Sequence, residues 1–203
     1  MEGRAVLFDL DGTLCDLRAL HFQALNKALA ESGFKEITHD EHVSTYDGLP
    51  TEKKLDLLGI PSWARYTVYD RKQTNTMSLI REFVVPDWRL NKEVAKIGRE
   101  AFVAVVSNAR NETCVSVLLR SRLGPYVKML IAGPHARPKP DKEPYEKALI
   151  AAHLDPSQTI AVEDNHYGAE SAERAGIRCL RVSGPSDISY DYVMSVFDVE
   201  VAV

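Results

Sequence analysis

Three short runs, Ala5–Phe8, Phe102–Val106 and Thr159–Val162, are apolar at almost every position rather than at every second one. A strand with one wet face alternates, whereas a strand covered on both faces does not, and sheets built of such strands are parallel. Val127–Ala132 and Ile177–Val182 are two further runs, and polar or turn residues bound all five. Between the later runs the spacing becomes helical. Residues 112–123 carry Val115, Leu118 and Leu119 at helical spacing. Pro144 stands near the first turn of a second helix bearing Ala148, Leu149 and Ala152, and residues 167–175 form a third, stopped by Gly176. Strand–helix alternation from Phe102 onward predicts a parallel α/β sheet with right-handed crossovers.

Residues 16–86 differ in kind, with no convincing strand and several amphipathic helices. Asp16 is placed to cap a helix whose face carries Leu17, Leu20, Ala24, Leu25, Ala28 and Leu29 and which ends near Gly33. Thr38 and Glu41 have capping-box spacing and open the next. Pro50-Thr51 precedes a third with Leu55 and Leu58, closed by Gly59 and Pro61, and residues 66–83 supply a fourth. The expected division is a core of residues 1–15 and 87–203 with a helical insertion at 16–86.

With 45% hydrophobic residues in 203, the chain can bury a core of this size. A formal charge of −4 gives no broad positive field, so nucleic acid and anionic membranes are not expected partners. No apolar run approaches the ~20 residues of a membrane-spanning helix. Met1-Glu2-Gly3-Arg4 leads directly into the first strand, so no signal peptide is expected. Cys15, Cys114 and Cys179 are odd in number and lack metal-binding spacing, which reads as reduced thiols in a cytoplasmic protein.

Ligands of a parallel sheet sit at the carboxyl ends of its strands, so the residues after each run decide the chemistry. The first run ends in Asp9-Leu10-Asp11-Gly12-Thr13, two carboxylates and a turn glycine, where one acid could attack and the other handle protons. The second ends in Ser107-Asn108, a hydroxyl and an amide suited to phosphoryl oxygens. After the third comes Arg137-Pro138-Lys139-Pro140, one lysine in a proline-stiffened loop. The fourth ends in Glu163-Asp164-Asn165, which with Asp9 makes a hard-cation site suited to Mg²⁺. Each piece alone has a plainer explanation as a helix cap or a solvated loop charge. His39, Asp40 and His42 do not make a metal cluster, because the capping box accounts for that segment.

This set, in this order, resembles the haloacid dehalogenase superfamily, in the β-phosphoglucomutase and phosphoglycolate phosphatase-like branch with an inserted helical cap. The matching residues are Asp9 and Asp11, Ser107, Lys139, and Glu163 with Asp164, strengthened by Asn165-His166-Tyr167-Gly168 and Ala172-Glu173-Arg174-Ala175-Gly176. The resemblance implies a Rossmann-like doubly wound sheet of strand order 5-4-1-2-3 and a Mg²⁺-dependent phosphatase, a phosphoric monoester hydrolase. It implies Asp9 as nucleophile, Asp11 as acid and base, and Lys139 as charge-neutralising partner. Thr13, Ser107 and Asn108 would hold the phosphoryl group, and Asp9, Asp11 (through a nearby backbone carbonyl), Glu163 and Asp164 would hold Mg²⁺. Its partner would be a small phosphorylated metabolite, and the protein a monomer or small homo-oligomer. Asp11 excludes haloacid dehalogenation, because the dehalogenases lack an acid there. Thr51 stands where the phosphonate-cleaving branch has a lysine and the mutases an arginine, with Lys53 and Lys54 close by. That favours a hydrolase over the phosphomutase alternative, and the complete set of acids argues against a non-catalytic binding relative. In the insertion, His21 and Lys72 resemble substrate-contacting residues. Pro86-Asp87 departs from the usual Pro-Gly.

Overall fold

A computed structural model of the protein describes residues 3–133 and 136–198. Met1 and Glu2, on which the signal-peptide expectation partly rests, lie outside the described residues. Two compact units divide the chain, one running through Asp16 and resuming at Val85, the other Leu17–Val84.

The first unit is a five-stranded parallel sheet of order β3-β2-β1-β4-β5, the expected order: β1 Ala5–Phe8, β2 Phe102–Val106, β3 Met129–Ile131, β4 Thr159–Glu163 and β5 Arg178–Arg181. The first strand in sequence is the middle strand in space. It pairs with β2 (Phe8 opposite Val105) and with β4 (Phe8 opposite Val162). Side chains of a strand alternate between faces. Leu7, Ala104, Val106 and Ala161 pack under Tyr145, Ala148 and Leu149 of the helix Glu143–Ala151 and Ala172 of the helix His166–Arg174. Val6, Phe8, Val103 and Val105 point the other way and are equally buried. Both faces being covered is why these strands read as continuous apolar runs.

The helices, in chain order, are α1 Arg18–Glu31, α2 His39–Glu41, α3 Thr51–Leu57, α4 Ser62–Phe83, α5 Trp88–Glu100, α6 Asn111–Arg120, α7 Glu143–Ala151, α8 His166–Arg174 and α9 Tyr190–Asp198. Two expectations need correction. Asp16 does not cap α1: the helix opens a residue later, with buried Leu17 at the N-cap and no side-chain cap. On α6 the buried face is Thr113, Cys114, Val117 and Leu118, while Val115 and Leu119 are exposed, so only Leu118 of the expected stripe faces inward. Two helices, α5 and α9, lie outside the segments assigned from sequence. Asp87 caps α5 by accepting from the Leu90 N–H at 3.0 Å, which explains an aspartate after Pro86. Arg89 of α5 donates to the Ile188 and Pro185 carbonyls at 2.7 and 2.6 Å, tying down the segment that leads into α9.

The second unit contains no strand and has its own core. Leu25, Ala28 and Leu29 of α1 meet Ile37, Leu55 of α3, Ile60, and Ala64 and Val68 of α4. The Thr38–Glu41 capping box forms in full. Buried Asn26 grips the chain at Ile37 from both sides, donating to its carbonyl (2.8 Å) and accepting from its N–H (2.9 Å). Among the described residues no helix is long and apolar enough to cross a membrane.

Candidate active site

The chain leaves β1 into a turn fixed by its own backbone. Leu14 and Cys15 both donate to the Leu10 carbonyl, and Gly12 donates to Cys15 (3.0, 2.9 and 2.8 Å). Gly12 sits at φ +89°, a conformation open chiefly to glycine, and a Cβ there would lie 2.6 Å from Asp164 Cγ. The turn therefore needs glycine twice over, for its backbone and for the room it leaves Asp164. Asp9, at the strand end, is buried, and Asp11, two residues on, is half-buried.

Sheet register brings the other strand ends level with Asp9. Its N–H donates to the Val162 carbonyl at 3.0 Å, placing it beside Glu163 on one side and Val106-Ser107 on the other. Lys139 reaches this point from the loop after β3. Its ammonium donates to Asp9 Oδ1 (2.7 Å), Glu163 Oε1 (2.6 Å) and the Val106 carbonyl (2.6 Å), so each of its three protons goes to a different strand end. Asn108 holds the backbone of the same lysine, accepting from its N–H at 2.8 Å and donating to its carbonyl at 3.4 Å. Ser107 is buried, and its hydroxyl accepts from the Ala109 N–H at 3.1 Å. The Thr13 hydroxyl is fully buried and has no hydrogen-bond partner among the described residues. Asn165 caps α8 by accepting from Gly168 N–H (3.0 Å) and donates to Asp164 Oδ1 (2.9 Å), orienting that carboxylate.

One lysine faces a surplus of acids. Burial raises the Asp9 carboxyl from 3.8 to about 7, with Glu163 and Asp11 adding to the rise and Lys139 opposing it. Burial, then Asp9, raises Asp164 to about 6. For Lys139 burial works against the charge, but Asp9 and Glu163 outweigh it and the ammonium is held. Asp9, Glu163 and Asp164 each offer a carboxylate oxygen, all within 4.8 Å of one another, and Glu163 Oε2 has no hydrogen-bond partner among the described residues. Hard oxygen donors with excess negative charge fit a divalent cation such as Mg²⁺. The Asp11 side chain lies outside that carboxylate group.

Of the expected site residues, Asp9, Lys139, Glu163 and Asp164 come together, and Asn108 joins them by fixing Lys139. His21 and Lys72 belong to the helical unit, where Lys72 Nζ is 3.3 Å from His21 Nδ1. Arg137 is engaged on the surface by Glu143 and Asp141. Two polar partners have no role assigned from the sequence, Asn165, noted there only as part of a motif, and Tyr145. The first had a signal, an Asn immediately before a helix. The second is a buried tyrosine whose hydroxyl donates to Glu163 at 2.5 Å, a contact that no local pattern announces.

In a sheet of this order the connections leave β1 and β4 in opposite directions, and the acids and the lysine gather at the carboxyl ends of those strands. That defines the class, a Rossmann-like α/β protein with a polar cluster at its topological switch point. Residues 6–182 match the family described as haloacid dehalogenase-like hydrolase, and the chain belongs to that family. It is 30% identical over 180 residues to a phosphorylated carbohydrates phosphatase of Thermotoga maritima, covering 85% of this chain and 82% of that protein. It is 28% identical over 177 residues to a phosphoglycolate phosphatase of Aquifex aeolicus, covering 86% and 82%. The fold is similar to that of a β-phosphoglucomutase from Clostridium difficile, with a TM-score of 0.80 at 17% identity over 96% of this chain and 97% of that one.

Proposed function

We propose that the protein is a Mg²⁺-dependent phosphatase that hydrolyses a small phosphomonoester through an aspartyl-phosphate on Asp9. The observation that carries this reading is Lys139 bonded at once to Asp9 and Glu163 at the level where Asp164 and the half-buried Asp11 stand. Lys139 holds Asp9 Oδ1, which fixes the carboxylate for attack by its other oxygen on phosphorus. Asp11, more open than Asp9, protonates the leaving oxygen and then takes the proton of the water that hydrolyses the intermediate. Thr13 and Ser107 hydroxyls hold phosphoryl oxygens. Asp9, Glu163 and Asp164, with a backbone carbonyl near Asp11, hold Mg²⁺, which when bound offsets the charge of the transferring group. His21 and Lys72 are the helical unit's candidates for substrate selection. Phosphatase names among relatives of 28–30% identity support hydrolysis of a phosphate ester, and Thr51 supports a hydrolase over a mutase.

The test is phosphate release over a panel of sugar phosphates, nucleotides and phosphoglycolate, with Mg²⁺ and with excess chelator. At least one ester is expected to turn over only with the metal, and rapid quenching with labelled substrate should leave label on Asp9. Full activity in chelator, or turnover undiminished in Asp9→Asn, would sink the reading.

A further inference from the structure

Tyr145 stands on α7, fully buried, with its ring among the apolar residues that cover the sheet. Its hydroxyl leaves that environment at one point, donating to Glu163 Oε1 at 2.5 Å. The same oxygen accepts from Lys139 Nζ at 2.6 Å, and the ammonium lies 5.2 Å from the centre of the tyrosine ring. Glu163 is itself completely buried. Its Oε2 has no hydrogen-bond partner among the described residues, and it packs where only Gly168 of α8 leaves space, since a Cβ there would run into the carboxylate.

We propose that Tyr145 is a positioning residue for the phosphatase reaction, acting through Glu163 to fix the Lys139 ammonium against Asp9. The inference rests on the functional reading above and adds to it a residue that touches neither substrate nor metal. Two donors on one oxygen set the rotation of the Glu163 carboxylate and share its charge. With the hydroxyl gone, Oε1 keeps only Lys139 of its two donors, in a buried setting where each hydrogen bond to a charged oxygen counts for more than in water. Glu163 then competes harder for the ammonium, and Asp9 is held less firmly. The burden falls on the step in which Asp9 attacks, more than on substrate binding.

The experiment is Tyr145→Phe, which keeps the ring and its contact with Lys139 and removes only the hydroxyl. The melting temperature and circular dichroism establish that the variant is folded. A fall in kcat of about tenfold or more is expected, with KM within about twofold, because positioning errors act on the chemical step. A double-mutant cycle with Glu163→Gln separates positioning from mere packing. If Tyr145 acts through Glu163, its replacement costs little more in the Glu163→Gln background. Effects that add in full, or a wild-type kcat in Tyr145→Phe, overturn the proposal.

A second readout needs no substrate. A buried ammonium with three hydrogen bonds exchanges its protons slowly and gives a resolved ¹H–¹⁵N signal, assigned by its loss in Lys139→Arg. That signal is expected in the wild type and should broaden or vanish in Tyr145→Phe. An unchanged signal refutes the positioning role. If the wild type releases no phosphate from any ester, the phosphatase reading fails, and the Lys139 signal still decides whether Tyr145 fixes the lysine.

Discussion

Gly12→Ala tests whether the proposed metal site depends on the closeness of two turns. Two costs arise, and the structure provides the means to separate them. The first is backbone strain, since alanine at φ +89° is disfavoured by about 1–2 kcal/mol. The second is contact, since the new methyl would stand 2.6 Å from Asp164 Cγ, and ordinary packing requires that carboxylate to retreat by roughly 1 Å. Gly176, at φ +77° after α8, has nothing within 4 Å of its Cβ position and therefore carries strain alone. Both variants should lose a few degrees of melting temperature, about 2–4 °C per kcal/mol for a chain of this length. Only Gly12→Ala should lose Mg²⁺ affinity, by roughly 10–100-fold in calorimetric titration, the scale for disturbing a ligand's support. Its kcat at saturating metal should fall on the order of 10²-fold, the scale of a 1 Å misplacement. If Gly12→Ala binds Mg²⁺ like the wild type, Asp164 is not a ligand held by this turn. If Gly176→Ala loses activity to the same extent, strain alone explains the effect.

Asp11→Asn should release about one equivalent of a good leaving group in a burst and then stall, with steady-state kcat down on the order of 10²-fold, whereas Asp9→Asn shows no burst; wild-type turnover in Asp11→Asn would make Asp11 a mere turn residue. Because Asp9 and Asp164 are raised to about 7 and about 6, protons compete with Mg²⁺ for them, so calorimetric affinity should drop by roughly tenfold or more from pH 8 to pH 6. In metal-free protein the raised Asp9 stabilises the fold below its unfolded value near 3.8, and that contribution is lost as pH rises through about 7. The wild-type melting temperature should therefore rise relative to that of Asp9→Asn as pH falls from 8 to 6. Asn26→Ala strands the buried N–H and carbonyl of Ile37 and should cost about 2–4 kcal/mol in urea unfolding.

The sheet was legible because strands covered on both faces show no alternation, and the strand ends were legible because their polar residues interrupt such runs abruptly. Helix α5 was legible as well, since its inward stripe of Leu90, Val94 and Ile97 keeps helical spacing; Asn91 is buried on the same side because it donates to the Ser121 carbonyl at 3.1 Å. On α6 the opposite happened, since apolar Val115 and Leu119 face solvent and pulled the expected stripe off its true side. In the site, Asp9 and Asp164 follow from position at strand ends, and Lys139 from the proline-stiffened loop after the third run. The grip of Asn108 on Lys139 and of Tyr145 on Glu163 joins residues 31 and 18 positions apart, a separation at which no local period speaks.

The central place of β1 has a consequence for how a nascent chain must behave. Ala5–Phe8 is made first, yet its two neighbours begin only at Phe102 and Thr159. Residues 17–84 have a core drawn entirely from their own span and can collapse while the ribosome is still far from β4. The strand that will lie deepest waits longest, its backbone edges open and its apolar side chains uncovered. Slow, non-local pairing of this kind is where aggregation competes with folding. A fragment truncated after Ala151 lacks β4 and should accordingly be insoluble or chaperone-bound, while addition of residues 152–203 restores a soluble product.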